Sequence, residues 1–498
     1  MPRKPSNTET NPQSFVADSL ATGMLVMLAM TVVQRAFGFF RGILFCRLMD
    51  DASVGQWAMA FGFITMITPI MLMGMPGSLP RFVEHYRSRG HLNAFVRRLA
   101  IGTIVCALVF LAALFGAPDW FGWLIFLQPQ NRALVHAVGI GVLSIIVYYF
   151  VNELVSALRQ VRIVSSMQFI QSVGFTLLGV TWLSIGGGLT GLVLVFAVAT
   201  LLAIIPGMIT LARGWRGLPV SGSPLNTSKM WRRILPYAGA LWVMNLLANL
   251  FELSDRYMIL HLTAGGESIG QAAVGQYHSG RIIPVLLMSL ATMISGVLLP
   301  YLAADWEAGQ KQAVRTRLRE TLFAISALFT LGAAVALWIA PTLFTTLLQD
   351  RYQAGLTLMP MAFTFCIWAA LATIAQNYLW VTEQGKWAGL ALAIGLAANL
   401  ALNAFLLPRW GLHGAVVATL CSHGIVLLGI WVALWACGFR LDQSTCFITL
   451  WPACLVAGPW VAIVSVIAVL VVSQDARQII ARWSHDPRLR RLCGSGSC

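Results

Sequence analysis

Thirteen apolar stretches, most of them long enough to cross a bilayer, leave this chain few ways to fold. They fall at about 20–48, 54–80, 95–117, 134–157, 163–186, 189–212, 234–262, 273–303, 320–344, 356–382, 388–407, 413–437 and 446–473. A helix needs about 20 such residues to span the hydrocarbon core. Helices do so because every backbone polar group is then paired within the segment. The turns between the stretches are short, and none is long enough to form a soluble domain. The chain is 58% hydrophobic and only 10% charged, which excludes an ordinary soluble domain, a disordered chain and a disulfide scaffold. Residues 1–18 are polar, and the first apolar run is too long for a signal-peptide core, so an uncleaved first span is expected.

The 33 Lys and Arg outnumber the 18 Asp and Glu. A basic balance raises nucleic acid as a partner, but the positions of the charges give another answer. With the N-terminus placed inside, alternate loops hold 20 basic residues on the inner side and only three, Arg132, Arg351 and Arg409, on the outer. This is the positive-inside pattern of a cell inner (plasma) membrane protein with a cytoplasmic N-terminus; no nucleic-acid partner is expected. Asp50, Asp51, Asp119, Glu267 and Asp350 fall on the sparse side. The tail 474–498 carries five Arg, although thirteen crossings would place it outside. Segment 446–473 is therefore read either as a pair broken at Gly458-Pro459, with the tail inside, or as one span with an outside tail. Nine Cys show neither CxxC nor metal-ligand spacing and read as small core residues. Neither a metal nor any other cofactor is expected.

The chain also repeats itself. Val54-Gly55-Gln56-Trp57 recurs as Val274-Gly275-Gln276-Tyr277, and Leu79-Pro80 as Leu299-Pro300, both 220 residues on. Gly188-Leu189-Thr190-Gly191 recurs as Gly411-Leu412-His413-Gly414 at 223, and Arg162 matches Lys386 at 224. Each match falls at the same place in the helix pattern. The expected organisation is an N-terminal tail (1–18), a six-helix lobe (19–212), a basic cytoplasmic linker (213–233), a second six-helix lobe (234–437), additional hydrophobic sequence (438–473) and a basic tail (474–498). Because six is even, the halves are parallel repeats. The fold class is an all-α polytopic membrane protein of two pseudo-symmetric six-helix bundles with one or two extra C-terminal segments.

Five arginines remain inside apolar segments: Arg35, Arg41, Arg47, Arg256 and Arg281. A charge at the bilayer centre costs roughly 2.5–3.5 kcal/mol on insertion scales, so each needs water, a partner or a ligand. Arg47, beside Asp50 and Asp51, reads as interfacial. Arg35 and Arg41 are six residues apart, about 9 Å along a helix, and on different faces unless Gly38 or Gly42 bends it. Arg256 aligns with Arg41 if five residues are inserted in the second half. Glu252 stands four residues before Arg256, at pairing distance on a helix, and Asp255 is adjacent; these are candidate ion-pair or coupling carboxylates. Arg281 and His278 lie in the outer third of segment eight. Glu153, near Asn152 in segment four, is a third carboxylate and reads first as a partner of Arg159. Arg81 follows Leu79-Pro80 at the inner surface, where a cytoplasmic gate or headgroup contact is expected. Guanidinium offers a planar fork of donors to phosphate and stays charged when desolvated. Arg35, Arg41, Arg256 and Arg281 are therefore the candidate binding residues for an anionic substrate. No paired acids or nucleophile constellation suggests an enzyme.

Gly38-x-x-Arg41 leading to Leu48 and Val-Gly-Gln-Trp, followed by Leu-Pro-Arg-Phe-Val-Glu-His-Tyr at 79–86, resembles the first two helices of polysaccharide-transporter flippases. Ser254-Asp255-Arg256-Tyr257, Val274 to Tyr277 and Leu298-Leu299-Pro300 resemble their seventh and eighth. These belong to the multidrug/oligosaccharidyl-lipid/polysaccharide exporter superfamily, with the O-antigen flippases, the lipid II flippase and the MATE exporters. The resemblance covers about 15–437. It implies alternating access and carriage of an undecaprenyl-pyrophosphate-linked oligosaccharide, with Arg35, Arg41, Arg256 and, less securely, Arg281 on the pyrophosphate. Its implied partners are the lipid-linked glycan, membrane lipids, glycosyltransferases and a polysaccharide polymerase. A lipid II flippase carries two further spans and an Asp-Ala-Phe signature after the first outer loop. The signature is absent and 446–473 is short, so an O-antigen or exopolysaccharide repeat unit is the expected cargo. The alternatives are a MATE-type drug exporter, a lipid II flippase and, last, a membrane polymerase or ligase.

Overall fold

The computed structural model describes residues 20–126, 131–215, 225–262, 267–348 and 352–472. Among the described residues there is no strand. The helices run α1 (Leu20–Leu48), α2 (Asp51–Leu72), α3 (Leu79–Arg87), α4 (Leu92–Gly116), α5 (Pro118–Phe126), α6 (Arg132–Ala157), α7 (Val161–Ser184) and α8 (Leu189–Trp215). They continue as α9 (Thr227–Leu262), α10 (Glu267–Arg281), α11 (Pro284–Glu307), α12 (Lys311–Leu348), α13 (Gln353–Ala375), α14 (Asn377–Val381), α15 (Gly385–Ala436), α16 (Gln443–Ala457) and α17 (Pro459–Val472). Nine of the described helical stretches are long and apolar enough to cross a membrane by themselves. The all-helical, multi-pass reading of the sequence is borne out.

The chain divides into two compact units. One comprises Met1–Met49 and Gln56–Leu253; the other comprises Asp50–Gly55 and Ser254–Cys498. In the first unit, α6 and α8 supply most of the core, with α7 against both α1 and α8. Side-chain to backbone hydrogen bonds tie α1 to α7: Gln34 Nε2 donates to the Ser165 carbonyl at 3.5 Å, and Ser172 Oγ to that of Gln34 at 3.3 Å. Lipid tails are as apolar as the helices, so polar bonds of this kind hold membrane helices together.

Two segment boundaries differ from the sequence reading, and a third agrees with it. Leu79-Pro80 does not end the second span: α2 stops at Leu72, a short turn follows, and Leu79 opens α3. The eighth apolar run is broken after Arg281, where Pro284 cannot donate a backbone hydrogen bond, so α10 ends and α11 begins. The eleventh and twelfth runs stay separate, as expected: the two parts of α15 turn back on each other at Gly411, so that a Cβ on Gly429 would stand 3.0 Å from that of Ala391.

The C-terminal addition packs on α12. Asp442 pairs with Arg319 at 2.8 Å, Ser326 bonds to the Ile448 carbonyl at 2.7 Å, and Trp338 meets Trp460 edge to face. From Asp442 to Trp460 the chain thus follows α12 in the same direction. The expected hinge is present: Gly458 has φ +127°, a conformation side-chain-bearing residues rarely adopt. The basic tail 474–498 and the N-terminal tail 1–18 lie outside the described residues.

The repeated Val-Gly-Gln motif makes the tightest backbone contact. A Cβ built on Gly55 would stand 2.0 Å from the Gln271 carbonyl oxygen, and one on Gly275 would stand 2.2 Å from that of Asp51. Asp51 and Gln271 are also 220 residues apart, so the two contacts are copies of each other. We predict that Gly275→Ala forces this backbone apart at a cost of about 1–3 kcal/mol, the usual penalty for overpacking. The measurement is the thermal midpoint of the detergent-solubilised protein; an unchanged midpoint rules the close contact out.

Candidate functional site

In the first unit, the two arginines of α1 stand in different surroundings. Arg35 is exposed on this unit. The Arg41 guanidinium lies over the Phe175 ring at 4.8 Å and donates to the Ser172 carbonyl at 3.5 Å. No carboxylate pairs with either among the described residues. Phe175 belongs to an aromatic cluster with Phe45, Trp57, Phe61 and Phe196, whose ring centroids lie 5.3–6.4 Å apart along its contacts. An arginine on an aromatic face is attracted by the ring quadrupole. That attraction leaves the positive charge without a counter-ion.

The second unit carries a buried carboxylate that the sequence reading named but did not build. Asp255 on α9 is 2% exposed. Its Oδ1 accepts from Asn399 Nδ2 at 2.9 Å and Asn403 Nδ2 at 2.8 Å, both from the first part of α15. Its Oδ2 accepts from Tyr277 Oη on α10 and Thr419 Oγ1 on the second part of α15, both at 2.7 Å. Ser254 Oγ donates to Asn399 Oδ1 at 2.9 Å. The four donors suit an ionised carboxylate, since burial without hydrogen bonds would be costly. Asn403 Oδ1 is also buried and has no hydrogen-bond partner. Both amides turn nitrogen toward the carboxylate, so the oxygens that meet here, the ligand type preferred by hard cations, are those of Asp255 and the Thr419 hydroxyl. Among the described residues, no group of three His, Cys, Asp or Glu is placed to hold a metal ion.

Arg281 connects to the same cluster. It is 6% exposed and sits in the last turn of α10, which Pro284 terminates. A helix C-terminus favours a cation there. Its Nη1 donates to Tyr277 Oη at 3.4 Å, and its guanidinium lies near the rings of Tyr277 and Phe365. Phe365 in turn meets His423, which bonds to the Thr419 carbonyl at 2.9 Å. Arg281 and Asp255 are thus joined through one tyrosine hydroxyl, a link that sequence spacing did not reveal.

The repeat offsets show what the first unit has in place of this cluster. Offset by 220, Tyr277 corresponds to Trp57; by 224, Asn399 to Phe175 and Asn403 to Gly179; by 223, Thr419 to Phe196. Trp57, Phe175 and Phe196 are in mutual contact. One half therefore encloses a carboxylate with polar donors at the positions where the other packs aromatic rings.

The remaining expectations are placed as follows. Arg256 is half-buried beside Asp255, and Glu252 is exposed on the same helix. Glu153 is half-buried on α6 and forms no ion pair with Arg159 among the described residues, which corrects that reading. Arg159 is exposed in the turn after α6 and has φ +60°. Buried Asn152 Oδ1 and Ser165 Oγ lack hydrogen-bond partners. The side chain of Arg81 lies outside the described residues. Elsewhere on α3, His85 Nε2 stands 2.8 Å from Arg233 Nη1, and the Arg233 guanidinium faces the Phe82 ring at 5.8 Å.

These features describe a multi-pass membrane transporter with unbalanced arginine in one unit and a buried, polar-lined carboxylate in the other. Residues 20–305, more than half of the chain, match the family described as polysaccharide biosynthesis protein, and the chain belongs to that family. It is a member of the exporter superfamily that its helices resemble, as the sequence reading expected. Lipid II flippase MurJ of Bacillus subtilis (strain 168) is 23% identical over 83% of this chain and 82% of its own length. The uncharacterized membrane protein YabM of the same organism is 24% identical, over 41% of this chain and 38% of its own. Among solved structures, lipid II flippase MurJ in an inward closed conformation has a TM-score of 0.69 at 11% identity, covering 92% of this chain and 99% of that one. An inward-facing MATE family multidrug resistance transporter has a TM-score of 0.56 at 13% identity, covering 83% and 98%. At such identities these likenesses establish the fold.

Burial lowers the His85 pKa from its ordinary 6.5, and the neighbouring Arg233 and Arg89 charges lower it further. The neutral imidazole accepts from Arg233, and protonation removes that acceptor. Because the folded value is depressed, the contribution to stability is fully present above pH 6.5 and is lost as pH falls through the folded value. We predict a thermal midpoint that declines below pH 6.5, with a smaller decline in His85→Gln. Equal declines in the two proteins would show that His85 is not responsible.

Proposed function

We propose that the protein moves an undecaprenyl-pyrophosphate-linked oligosaccharide repeat unit from the inner to the outer leaflet, by alternating access, for polysaccharide or O-antigen export. The observation that carries this reading is the pair Arg35 and Arg41. Two guanidinium groups in a membrane helix without a carboxylate partner among the described residues call for an anion, and pyrophosphate matches their donor geometry. Arg256 and Arg281 add positive charge from the second half. The lipid chains stay in the bilayer while the arginines hold the headgroup. No covalent chemistry is needed, and the protein acts as a transporter rather than an enzyme. Its N-terminus is cytoplasmic, on the side where basic loops concentrate. The glycosyltransferases that build the unit and the polymerase that consumes it are its working partners.

Asp255 is the coupling site in this reading. Its carboxylate and the Thr419 hydroxyl, joined by the Asn399 and Asn403 oxygens once the two amides turn over, bind a monovalent cation such as Na⁺, whose entry neutralises a buried charge. Cation binding and release then drive the return step. Glu252 and Glu153 are the lesser candidates, the first exposed and the second only half-buried.

A second reading, lipid II as cargo, is favoured by the similarity to MurJ along most of both chains. The two cargoes share the pyrophosphate and differ in the sugars. Purified protein in liposomes, assayed with fluorescent lipid-linked O-antigen units and with lipid II, separates them by which lipid changes leaflet. Removing both α1 charges with Arg35→Ala and Arg41→Ala should slow flipping at least about tenfold, since each charge-assisted hydrogen bond contributes about 1.5–3 kcal/mol. Unimpaired flipping defeats the anion assignment. Drug efflux that tolerates these substitutions favours the MATE-type reading.

A further inference from the structure

We infer that Tyr277 is a positioning residue that couples the charge state of the Asp255 site to the anion-binding guanidinium of Arg281. The inference rests on the reading of Asp255 as the cation site and Arg281 as an anion contact.

The geometry gives one hydroxyl two duties. Tyr277 is 1% exposed, and its single hydroxyl proton is committed to Asp255 Oδ2 at 2.7 Å. Its oxygen lone pairs remain to accept from Arg281 Nη1 at 3.4 Å. Arg281 is four residues further along α10, on the same helix face. A hydroxyl that donates to a charged oxygen becomes a better acceptor, because successive hydrogen bonds polarise one another. An ionised Asp255 therefore strengthens the hold of Tyr277 on Arg281 and keeps the guanidinium turned toward the tyrosine. A cation on Asp255 draws charge away from Oδ2, weakens the polarisation and loosens Arg281 for an external anion. By the same linkage, an anion that draws Arg281 away from Tyr277 raises the affinity of Asp255 for its cation.

Two further observations support this route. Thr419 donates to the same Oδ2 at the same 2.7 Å and lies against the Ala415 carbonyl, with no bond to Arg281 among the described residues. Tyr277 is thus distinguished by its second bond, not by its grip on the carboxylate. In the first half the corresponding residue is Trp57, which has no hydroxyl and packs among phenylalanines. The link is a property of one half of the repeat.

The test is a binding cycle on the full-length protein in nanodiscs, with Na⁺ and inorganic pyrophosphate as probes. In the parent protein, saturating Na⁺ should tighten pyrophosphate binding by roughly 5–150-fold, the usual range of coupling between sites. Tyr277→Phe keeps the ring beside Arg281 and removes the hydroxyl. Both probes should still bind, with Na⁺ affinity shifted because Oδ2 loses a donor, while the coupling factor falls severalfold toward one. Thr419→Val, which removes one donor from the same oxygen, should weaken Na⁺ binding and keep the coupling factor. Full coupling in Tyr277→Phe, or equal loss of coupling in both variants, overturns the inference. If the parent binds neither probe, or Asp255→Asn leaves Na⁺ binding intact, the reading beneath it fails as well. If Tyr277→Phe does not fold, replacing Tyr277 by difluorotyrosine keeps the bond with a stronger donor. The coupling factor should then change, and an unchanged factor overturns the inference.

Discussion

A carboxylate withdrawn from water must be surrounded by donors or give up its charge, and the second unit is built around one that is surrounded. Asp255 draws α9, α10 and both parts of α15 to a single point, through two amides, a phenol and a threonine hydroxyl. Hydrogen bonds to a charged group contribute more than neutral ones, and stranding a buried charge costs more again. The four bonds therefore fix the register of three helices together. The turn at Gly411 has a role here, since it folds the two parts of α15 together and brings Asn399, Asn403 and Thr419 to one carboxylate, while the break at Pro284 ends α10 just past Tyr277 and Arg281. Broken helices are tolerated at membrane depth where protein surrounds the interruption.

The first unit answers a related packing problem with different chemistry. At the positions corresponding to Tyr277, Asn399 and Thr419, it packs Trp57, Phe175 and Phe196 and lays Arg41 across one of the rings. An aromatic face needs no counter-charge and no hydrogen-bond inventory. It supports a guanidinium while leaving the positive charge uncompensated. At these corresponding positions the two halves differ in chemistry: one surrounds a negative charge with donors, the other lays a positive charge on aromatic rings.

Much of the fold was legible in the sequence because the bilayer imposes a length and a composition that single residues cannot disguise. The apolar runs, the loop charges and the 220–224 offsets all reported on that constraint. Boundaries were less legible: Leu79 opens a helix instead of closing one, since an apolar window does not register a turn made by residues that are themselves apolar. For the site, Arg41, Asp255 and Arg281 stood out as charges in the wrong solvent. Asn399, Asn403, Thr419 and Tyr277 did not, because a neutral polar residue in a membrane helix is common enough to pass unnoticed. Their meaning depends on a carboxylate more than 140 residues away in three of the four cases. The pairing expected for Glu153 and Arg159 failed because proximity along the chain said nothing of the turn between them.

The reciprocal approach of Gly55 and Gly275 bears on what the repeat can change. Each glycine lies against the carbonyl of the residue four positions before the other, Gly55 against Gln271 and Gly275 against Asp51. The two contacts join the same pair of backbones, so a side chain on either glycine would open both at once. The next position but one in the motif carries no such burden, and there the copies differ, with Trp57 in one and Tyr277 in the other. A contact made of bare backbone thus holds its sequence where one made of side chains is free to acquire new chemistry.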